Sequence, residues 1–231
     1  GFPESHAASF ALLVVVSAWR KKHKPSAFYC GLLNSLPMGF YSPSQLIQDA
    51  KRHDIEIRDI DVTQSQWAHT LEAKANRQPA LRLGLRMIKG FKEEVAEQLV
   101  AARTTVPFAS TEDLAVRGGI NDQAMKFLAR AGALISISGH RHQAHWQVAG
   151  IERPMPINAP LMVGEELAPY KFSSEQDSEI RLSSPSTQED LINDYRYTGL
   201  TLGPHPMQLL RYEPPFTGFR TAADLETYRQ G

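Results

Sequence analysis

The hydrophobic pattern of this 231-residue chain predicts a mainly α-helical protein with a small β component. Apolar residues are nearly continuous over 6–23 with no Gly or Pro, and a helix that is apolar on most sides needs a larger core than its neighbours provide. A proline at 25 opens a second predicted helix, over 25–36. Ser42 as an N-cap and Pro43 in the first turn begin a third helix, which ends near residue 53.

The rest of the pattern predicts short strands, further helices and one linker. Alternating apolar and polar residues at 55–57 and 81–85 predict two strands of a small sheet. Ser110 caps a helix and, with Asp113, resembles a capping box. Prolines and polar residues over 151–188 leave little to bury and predict the linker. The other predicted helices cover 92–103, 121–131, 139–149, 190–197 and 206–212.

These elements divide the chain into five predicted segments, and charge distinguishes two regions. Lys+Arg and Asp+Glu both number 25, so the whole-chain charge indicates no partner. Residues 82–145 carry a net charge of +3 and residues 152–196 a net charge of −5, so the middle of the chain can bind a polyanion locally. The predicted segments are a helical region (1–53), connecting strands (54–79), a domain of paired helices (80–150), the linker (151–188) and a C-terminal segment (189–231).

Cysteine content and hydropathy predict a cytoplasmic protein without a membrane partner. The single Cys30 excludes an internal disulfide framework and suits a reducing compartment. The apolar run from 10 to 19 is too short to span a bilayer and is followed directly by charged residues. It is therefore predicted to be a core helix.

Two helix-hairpin-helix-like units are the strongest candidates for function. The first covers 81–103 with its hairpin at 88–92, and the second covers 110–133 with its hairpin at 118–121. A glycine-bearing turn brings backbone N–H groups at a helix start close to a phosphate, and the helix dipole adds attraction. Such contacts bind nucleic acid without recognising its sequence. The candidate DNA-binding residues are Arg86, Lys89, Gly90, Phe91 and Lys92 in the first of these, and Arg117, Gly118, Gly119 and Lys126 in the second.

An alternative interpretation of these motifs is two ordinary helical turns with solvated lysines, because Gly commonly ends helices. Two such motifs about thirty residues apart in a basic stretch favour DNA binding. The first departs from the usual hairpin, because Lys92 occupies the position of the second glycine. The second is less regular, so a purely structural role stays open for it.

Other motifs offer weaker candidates for chemistry. The Ser5-His6 pair at the start of the first helix suits a triphosphate, although a Ser cap beside a surface His explains the same residues. The histidines at 140, 142 and 145 do not share one helix face and have no Cys nearby, so no metal site is predicted and solvated or DNA-proximal imidazoles are expected. The pair Asp59 and Asp61 is more simply a charged strand end than a two-metal catalytic site. No catalytic residue is predicted in this chain.

Three motifs together resemble the C-family (DnaE-type) bacterial DNA polymerases. They are PMGFYSPSQL at 37–46, RLGLRMIKG at 82–90 and YTGLTLGPHP at 197–206. The first of them is most similar to the error-prone branch of that family, as is Glu4, where the replicative enzymes have Lys. The resemblance implies that 1–53 is the end of the fingers, that 80–150 is a tandem helix-hairpin-helix domain, and that the C-terminal segment leads to an OB-fold that this chain lacks.

The same resemblance implies a function for the longer protein. It would extend a primed DNA strand inaccurately during damage-induced translesion synthesis, with a Y-family-like polymerase and a small accessory protein as partners. Ser5 and His6 would lie near the incoming deoxynucleotide triphosphate. The catalytic carboxylates and their Mg²⁺ would lie in the palm, upstream of residue 1, so this chain by itself is expected to incorporate no nucleotides. The alternative is a non-enzymatic helix-hairpin-helix DNA-binding or scaffold module of a repair protein.

Overall fold

A computed structural model describes residues 4–75, 78–151 and 180–220, together with the single residue 224. Most of the predicted linker, residues 152–179, lies outside the described residues. The helices are α1 (Glu4–His23), α2 (Pro25–Asn34), α3 (Pro43–Arg52), α4 (Glu93–Thr105), α5 (Thr111–Arg117), α6 (Asp122–Arg130), α7 (Ile135–Ser138), α8 (Arg141–Ala149), α9 (Thr187–Tyr197) and α10 (Pro206–Leu210). In the part of the chain that the structure describes, 3₁₀ helices cover Leu85–Met87 and Phe216–Gly218. The strands are β1 (Ile57–Arg58), β2 (Thr70–Glu72) and β3 (Ala80–Arg82).

The mainly α fold with a small sheet is confirmed, and the chain forms two compact lobes. Among the described residues, the first lobe contains 4–59, 71–75, 78–82, 186–220 and 224, and the second lobe contains 60–70, 83–151 and 180–185. Both lobes are discontinuous in the sequence. The N-terminal helices therefore belong to the same lobe as the C-terminal segment, a grouping that the five-segment division along the chain did not predict.

Local capping signals fix the start of α3 in the first lobe. The Ser42 hydroxyl accepts a hydrogen bond from the Gln45 N–H at 3.3 Å, and the Gln45 side chain accepts one from the Ser42 N–H at 3.0 Å. This reciprocal capping box, with Pro43 in the first turn, satisfies donors that the helix itself leaves without partners. The helix then buries Leu46 and Ile47 against its neighbours.

Helix α1 is exposed along nearly its whole length in this lobe. None of its residues is buried, and the exposed fractions of Phe10, Leu13 and Trp19 are 53%, 59% and 56%. The sequence predicted a core helix, and it also predicted that the neighbouring segments are too small to cover it. The structure agrees with the prediction about the neighbours, because α2 and α3, at only 10 residues each, do not cover the 20 residues of α1.

The sheet has the strand order β1-β3-β2, with β1 and β3 parallel. Ile57 pairs with Leu81 and Arg58 with Arg82. The two arginines share the carboxylate of Glu72, to which Arg82 Nε donates at 2.6 Å. The sequence predicted strands near β1 and β3 but not β2.

The C-terminal motif YTGLTLGPHP forms a compact turn in the first lobe. The Thr201 hydroxyl donates to Asp194 Oδ2 at 2.6 Å and accepts from the Gly203 N–H at 3.0 Å. Leu200 and Thr201 are buried, and Lys51 Nζ donates to the carbonyl oxygen of Leu202 at 3.0 Å. The motif is therefore explained by packing within the lobe.

The second lobe is a small helical bundle in which α8 packs on α5, α6 and α7. Its core is formed by aliphatic side chains from the 3₁₀ helix, from α4 to α6 and from the turns between them, among them Leu85, Ile88, Leu99, Leu114, Ile120 and Leu128. The predicted helix at 139–149 begins at Arg141, and the short α7 before it was not predicted. Ser110 caps α5 as predicted, since its hydroxyl accepts from the Asp113 N–H at 3.1 Å.

Residues 180–183 lie against α8 within the second lobe. The Gln143 amide donates to the Ile180 carbonyl at 3.1 Å and accepts from the Leu182 N–H at 3.2 Å. His140 Nε2 contacts the Leu182 carbonyl oxygen at 3.1 Å. The end of the predicted linker is thus attached to the helical bundle.

Candidate nucleic-acid interface

The first hairpin connects the 3₁₀ helix at 85–87 to α4. Ile88 and Phe91 are buried on either side of the turn, and the Phe91 N–H donates to the Ile88 carbonyl at 3.1 Å. Gly90 between them has φ +81°, a left-handed conformation that side-chain-bearing residues rarely adopt. The two apolar residues therefore anchor the hairpin, and Gly90 allows the chain to reverse.

The exposed side of this hairpin presents backbone donors and positive charge. Among the residues that the structure describes, the N–H groups of Gly90 and Lys92 donate no hydrogen bond. Lys92 is the N-cap of α4 and supplies no side-chain cap, so the N-terminal donors of this helix also lack side-chain acceptors. Lys89, Gly90 and Lys92 are exposed. Open N–H groups at a helix start, next to two lysines, suit a phosphate.

The other candidates around the first hairpin have different surroundings. Phe91 is buried and supports the turn from inside. Arg86 lies in the 3₁₀ helix, is half-buried, and contributes through its charge to the lowered pKa of His69. Two acidic residues, Glu93 and Glu94, occupy the first turn of α4. Their negative charges interact favourably with the positive end of the α4 dipole but repel a phosphate, so they reduce the attraction that the lysines create.

His69 is a buried residue of this region that the sequence did not indicate. Its Nδ1 accepts a hydrogen bond from the Gly84 N–H at 3.2 Å, just before the 3₁₀ helix. Burial, with a smaller contribution from the Arg86 charge, lowers the pKa of His69 to about 4. The ring is therefore neutral at physiological pH and fixes the chain that leads into the first hairpin.

The second hairpin uses three of its backbone donors internally. The N–H groups of Gly118, Gly119 and Ile120 donate to carbonyl oxygens of α5 at 3.0 to 3.2 Å. The Asn121 side chain caps α6 by accepting from the Ala124 N–H at 2.8 Å. Gly119 has φ +60° and open space around it. This turn is regular, but it offers a phosphate fewer N–H groups than the first.

The two cations predicted near the second hairpin differ in their surroundings. Lys126 is exposed on α6. Arg117 forms an ion pair with Asp113 and donates at 3.0 Å to the carbonyl oxygens of both Val106 and Pro107. Its guanidinium also lies 4.9 Å from the centroid of the Phe108 ring. Arg117 thereby caps the end of α4 and joins it to α5, a role that depends on tertiary contacts.

Phe127 links the two hairpin motifs and was missed by the sequence analysis. A Cβ atom placed on Gly90 would lie 3.0 Å from Cζ of Phe127, which projects from α6. The first hairpin therefore rests directly on the helix that follows the second hairpin. No local pattern indicates this contact, because the two residues are far apart in the sequence.

Ser5 and His6 lie in the first turns of α1 and are exposed. Helix α1 begins at Glu4, so Ser5 is inside the helix rather than its N-cap. The Ser5 carbonyl oxygen accepts from the Ser9 hydroxyl at 2.9 Å, and the His6 ring stacks edge-on against Phe10 at 4.4 Å between centroids. Their predicted proximity to a nucleotide stays a prediction.

The histidines of α8 have structural partners. His140 caps this helix, with Nδ1 accepting from the Gln143 N–H at 3.2 Å, and His142 Nδ1 contacts the Ser183 carbonyl oxygen at 2.8 Å. They hold residues 182 and 183, and both rings stay partly exposed, so their predicted proximity to DNA stays a prediction. Burial lowers the pKa of His145. Across 4–75, 78–151 and 180–220, no three His, Cys, Asp or Glu side chains group in a way that could hold a metal ion.

Asp61 also has a structural role. Its Oδ1 accepts from the Thr63 N–H and the Thr63 hydroxyl, both at 2.8 Å, and from the Ser136 hydroxyl at 2.7 Å. A carboxylate oxygen engaged in this way stabilises a turn and has little capacity for a metal. No catalytic step is therefore assigned to Asp61.

Among the helices that the structure describes, none is both long enough and apolar enough to cross a bilayer.

Comparison with known families identifies the class of the hairpin region. A family model described as "Helix-hairpin-helix motif" matches residues 54–144, which include both hairpins and the sheet strands β1 to β3. The two hairpins predicted from the sequence therefore lie within a region that is similar to this motif family.

Curated relatives extend the match to the whole chain. The chain is 48% identical over 231 residues to "Error-prone DNA polymerase" of Pseudomonas fluorescens, covering 100% of this chain and 22% of that protein. It is 49% identical over 211 residues to the protein of the same name from Pseudomonas aeruginosa, covering 91% of this chain and 19% of that protein. It is 50% identical over 216 residues to the protein of the same name from Azoarcus sp., covering 91% of this chain and 19% of that protein.

These matches confirm the resemblance predicted from the sequence motifs. Over its whole length the chain is homologous to part of the error-prone DNA polymerases, with a helix-hairpin-helix region. It spans about a fifth of the length of the curated relatives it matches.

Proposed function

We propose that this chain is a DNA-binding segment of an error-prone DNA polymerase and that its first hairpin binds the duplex backbone without sequence preference. The observation that carries the proposal is the open set of N–H groups at Gly90, Lys92 and the start of α4, flanked by exposed lysines. The second hairpin has fewer open donors, because carbonyl groups of the preceding helix already accept the N–H groups of Gly118, Gly119 and Ile120.

The physical basis is electrostatic. A phosphate at the hairpin accepts hydrogen bonds from N–H groups that have no acceptor among the described residues, and it is attracted by Lys89, by Lys92 and by the positive end of the α4 dipole. All of these groups contact the phosphate and none contacts a base edge, so binding is independent of the DNA sequence. Counterion release then makes the affinity depend steeply on salt.

The region around the second hairpin contributes mainly support. The Phe127 ring packs against Gly90, and Arg117 donates to the Val106 carbonyl at the C-terminal end of α4. Lys126, which is exposed on α6, adds a weaker long-range attraction. Gly118 and Gly119 provide the turn. The four residues predicted as DNA contacts in this region therefore act chiefly by positioning the first hairpin.

The remaining parts of the proposal concern the longer polymerase. It carries out template-directed nucleotidyl transfer in damage-induced translesion synthesis, with a Y-family-like polymerase and a small accessory protein as partners and a cytoplasmic bacterial location. Ser5 and His6 face the incoming deoxynucleotide triphosphate. Mg²⁺ acts in the palm of that longer protein. This chain alone incorporates no nucleotides.

The exposed helix α1 supports the polymerase over the alternative of a free-standing repair module. Its apolar side chains are more than 40% exposed from Leu12 to Val16. An independent DNA-binding module has no use for such a surface, whereas the fingers of a larger enzyme bury it against the rest of the protein. We assign the covering surface to polymerase residues outside this chain.

The test is duplex binding by fluorescence anisotropy at low salt. Replacing Lys89 and Lys92 together with Glu reverses the charge at the first hairpin, and we expect the affinity for a labelled duplex to fall by at least about 100-fold. The matched control, Lys126→Glu, should weaken binding by no more than about threefold. Equal losses in the two variants would overturn the assignment of the first hairpin as the main contact.

A further inference from the structure

A cavity of about 420 Å³ in the first lobe has no role in the function proposed so far. It is formed by the end of α1, by α2, by α3 and by the loop between α2 and α3. Its size falls within the ~300–1,000 Å³ typical of sites for small molecules and single residues of a polymer. The residues that decide its chemistry are Lys21, Phe28, Met38, Phe40, Tyr41 and Asp49.

The loop side of this cavity is aromatic and open to solvent. The exposed fraction of Phe40 is 95% and that of Tyr41 is 62%, although both side chains are large and apolar. Phe28 and Met38 line the same cavity and are half-buried. Exposed aromatic rings beside a concave apolar wall form a platform on which a planar ring can stack.

The helix side of the cavity is basic. Lys21 lines it, and the neighbouring Arg20, Lys22 and Lys24 are exposed at the end of α1. Asp49, the carboxylate among the described lining residues, is engaged by Lys21 Nζ at 2.9 Å and by the Tyr29 hydroxyl at 2.5 Å. These contacts lower the pKa of Asp49, so it stays ionised and paired with Lys21. The ionised groups around the cavity therefore carry a net positive charge.

We propose that this cavity binds an unpaired base of single-stranded DNA, which stacks on Phe40 and Tyr41 while the basic end of α1 attracts the adjoining phosphates. A stacked duplex does not present its base faces to such a site, so the ligand is a single strand. The charge favours a polyanion over an apolar protein segment. The proposal rests on the proposed function for DNA as the ligand, but it concerns a different lobe of the chain and a different form of DNA.

The experiment compares two oligonucleotides that have the same number of phosphates, a short oligothymidylate and an abasic strand of equal length. The chain should bind oligothymidylate about 5- to 150-fold more tightly than the abasic strand, the range expected for base–aromatic stacking. Replacing Phe40 and Tyr41 together with Ala should abolish this preference. Because both side chains are largely exposed, the double variant should fold normally, which circular dichroism checks.

A matched control and a second pair of variants make the outcome specific. Tyr212→Ala removes an aromatic side chain that is 80% exposed in the same lobe but does not line the cavity, and it should keep the preference. The Lys89→Glu, Lys92→Glu variant should lose duplex binding and keep the preference, whereas failure of the proposed function would leave duplex binding intact in that variant. A preference that survives in the Phe40→Ala, Tyr41→Ala variant, or that is absent from the unmodified chain, would overturn the proposal and point to a protein partner for this surface.

Discussion

Gly90 in the first hairpin lies directly against the ring of Phe127 on α6, so that the β-carbon of an alanine at position 90 would come within 3.0 Å of Phe127 Cζ. The contact means that the hairpin is not an independent loop. Its backbone conformation, with φ +81°, and its support both require the absence of a side chain at this position.

Replacing Gly90 with Ala should therefore impose two penalties. The left-handed backbone conformation and the close approach to Phe127 together should lower the free energy of unfolding by about 1–3 kcal/mol and weaken duplex binding. Gly119→Ala is the matched control, since Gly119 also has positive φ (+60°) but open space around it. It should lose only about 1–2 kcal/mol, with duplex binding retained. Urea unfolding and anisotropy measure both properties, and a Gly90 variant that binds duplex normally would contradict this account.

Neutralising the acidic first turn of α4 should strengthen duplex binding. Glu93 and Glu94 lie next to the open N–H groups of the first hairpin, where their charges oppose a phosphate. We expect the double change to Gln to raise the duplex affinity about 3- to 30-fold at low salt, with a smaller gain at high salt. Glu112→Gln, in the first turn of α5, is the control and should change the affinity little. Unchanged binding by the double variant would mean that phosphates do not approach α4.

Arg117 should prove to be a stabilising residue rather than a DNA contact. It donates to the Val106 and Pro107 carbonyl groups and pairs with Asp113, whose pKa its guanidinium lowers to about 2. Arg117→Ala should lower the urea midpoint while the duplex affinity, measured where the protein is folded, stays within about twofold. A large loss of affinity with unchanged stability would show instead that Arg117 contacts the backbone of DNA.

His69 should make the stability of the second lobe fall in acid. Its pKa is about 4 in the folded chain against an ordinary value of 6.5, so the unfolded chain binds more protons between these pH values. The stabilisation is complete above about pH 6.5, and up to about 3 kcal/mol of it is lost as the pH falls to about 4. His69→Gln, which retains an acceptor for the Gly84 N–H, should flatten this part of the stability curve. Parallel curves for the two proteins, from urea unfolding at several pH values, would exclude this role.

The elements with local signals could be predicted from the sequence. The start of α3 was predicted because its signals, Ser42 as the N-cap and Pro43 in the first turn, are adjacent in the sequence, and the first hairpin because its glycine-bearing turn lies at a helix start. Strand β2 and helix α7 escaped prediction. They have 3 and 4 residues, too few to establish a hydrophobic period, whereas the alternating apolar residues at 55–57 and 81–85 indicated the equally short β1 and β3.

Roles that depend on tertiary contacts could not be predicted. Arg117 looks like an exposed cation beside a glycine turn, and only the fold brings the end of α4 within its reach. Lys51 meets the Leu202 carbonyl across 151 positions of sequence, which no local pattern encodes. The pocket at Phe40 and Tyr41 was missed for a related reason, since the motif that contains them served only to indicate the resemblance and its concave surface appears only in three dimensions.

The most direct test of the central claim is the salt dependence of duplex binding. For the unmodified chain, the slope of log K against log salt concentration should be about −2 to −4, as expected for a few neutralised phosphates. Replacing Lys89 and Lys92 with Gln should make the slope shallower by about 2, because each phosphate contact contributes about 0.9. An identical slope in the two proteins would contradict the claim that the first hairpin binds the backbone of DNA.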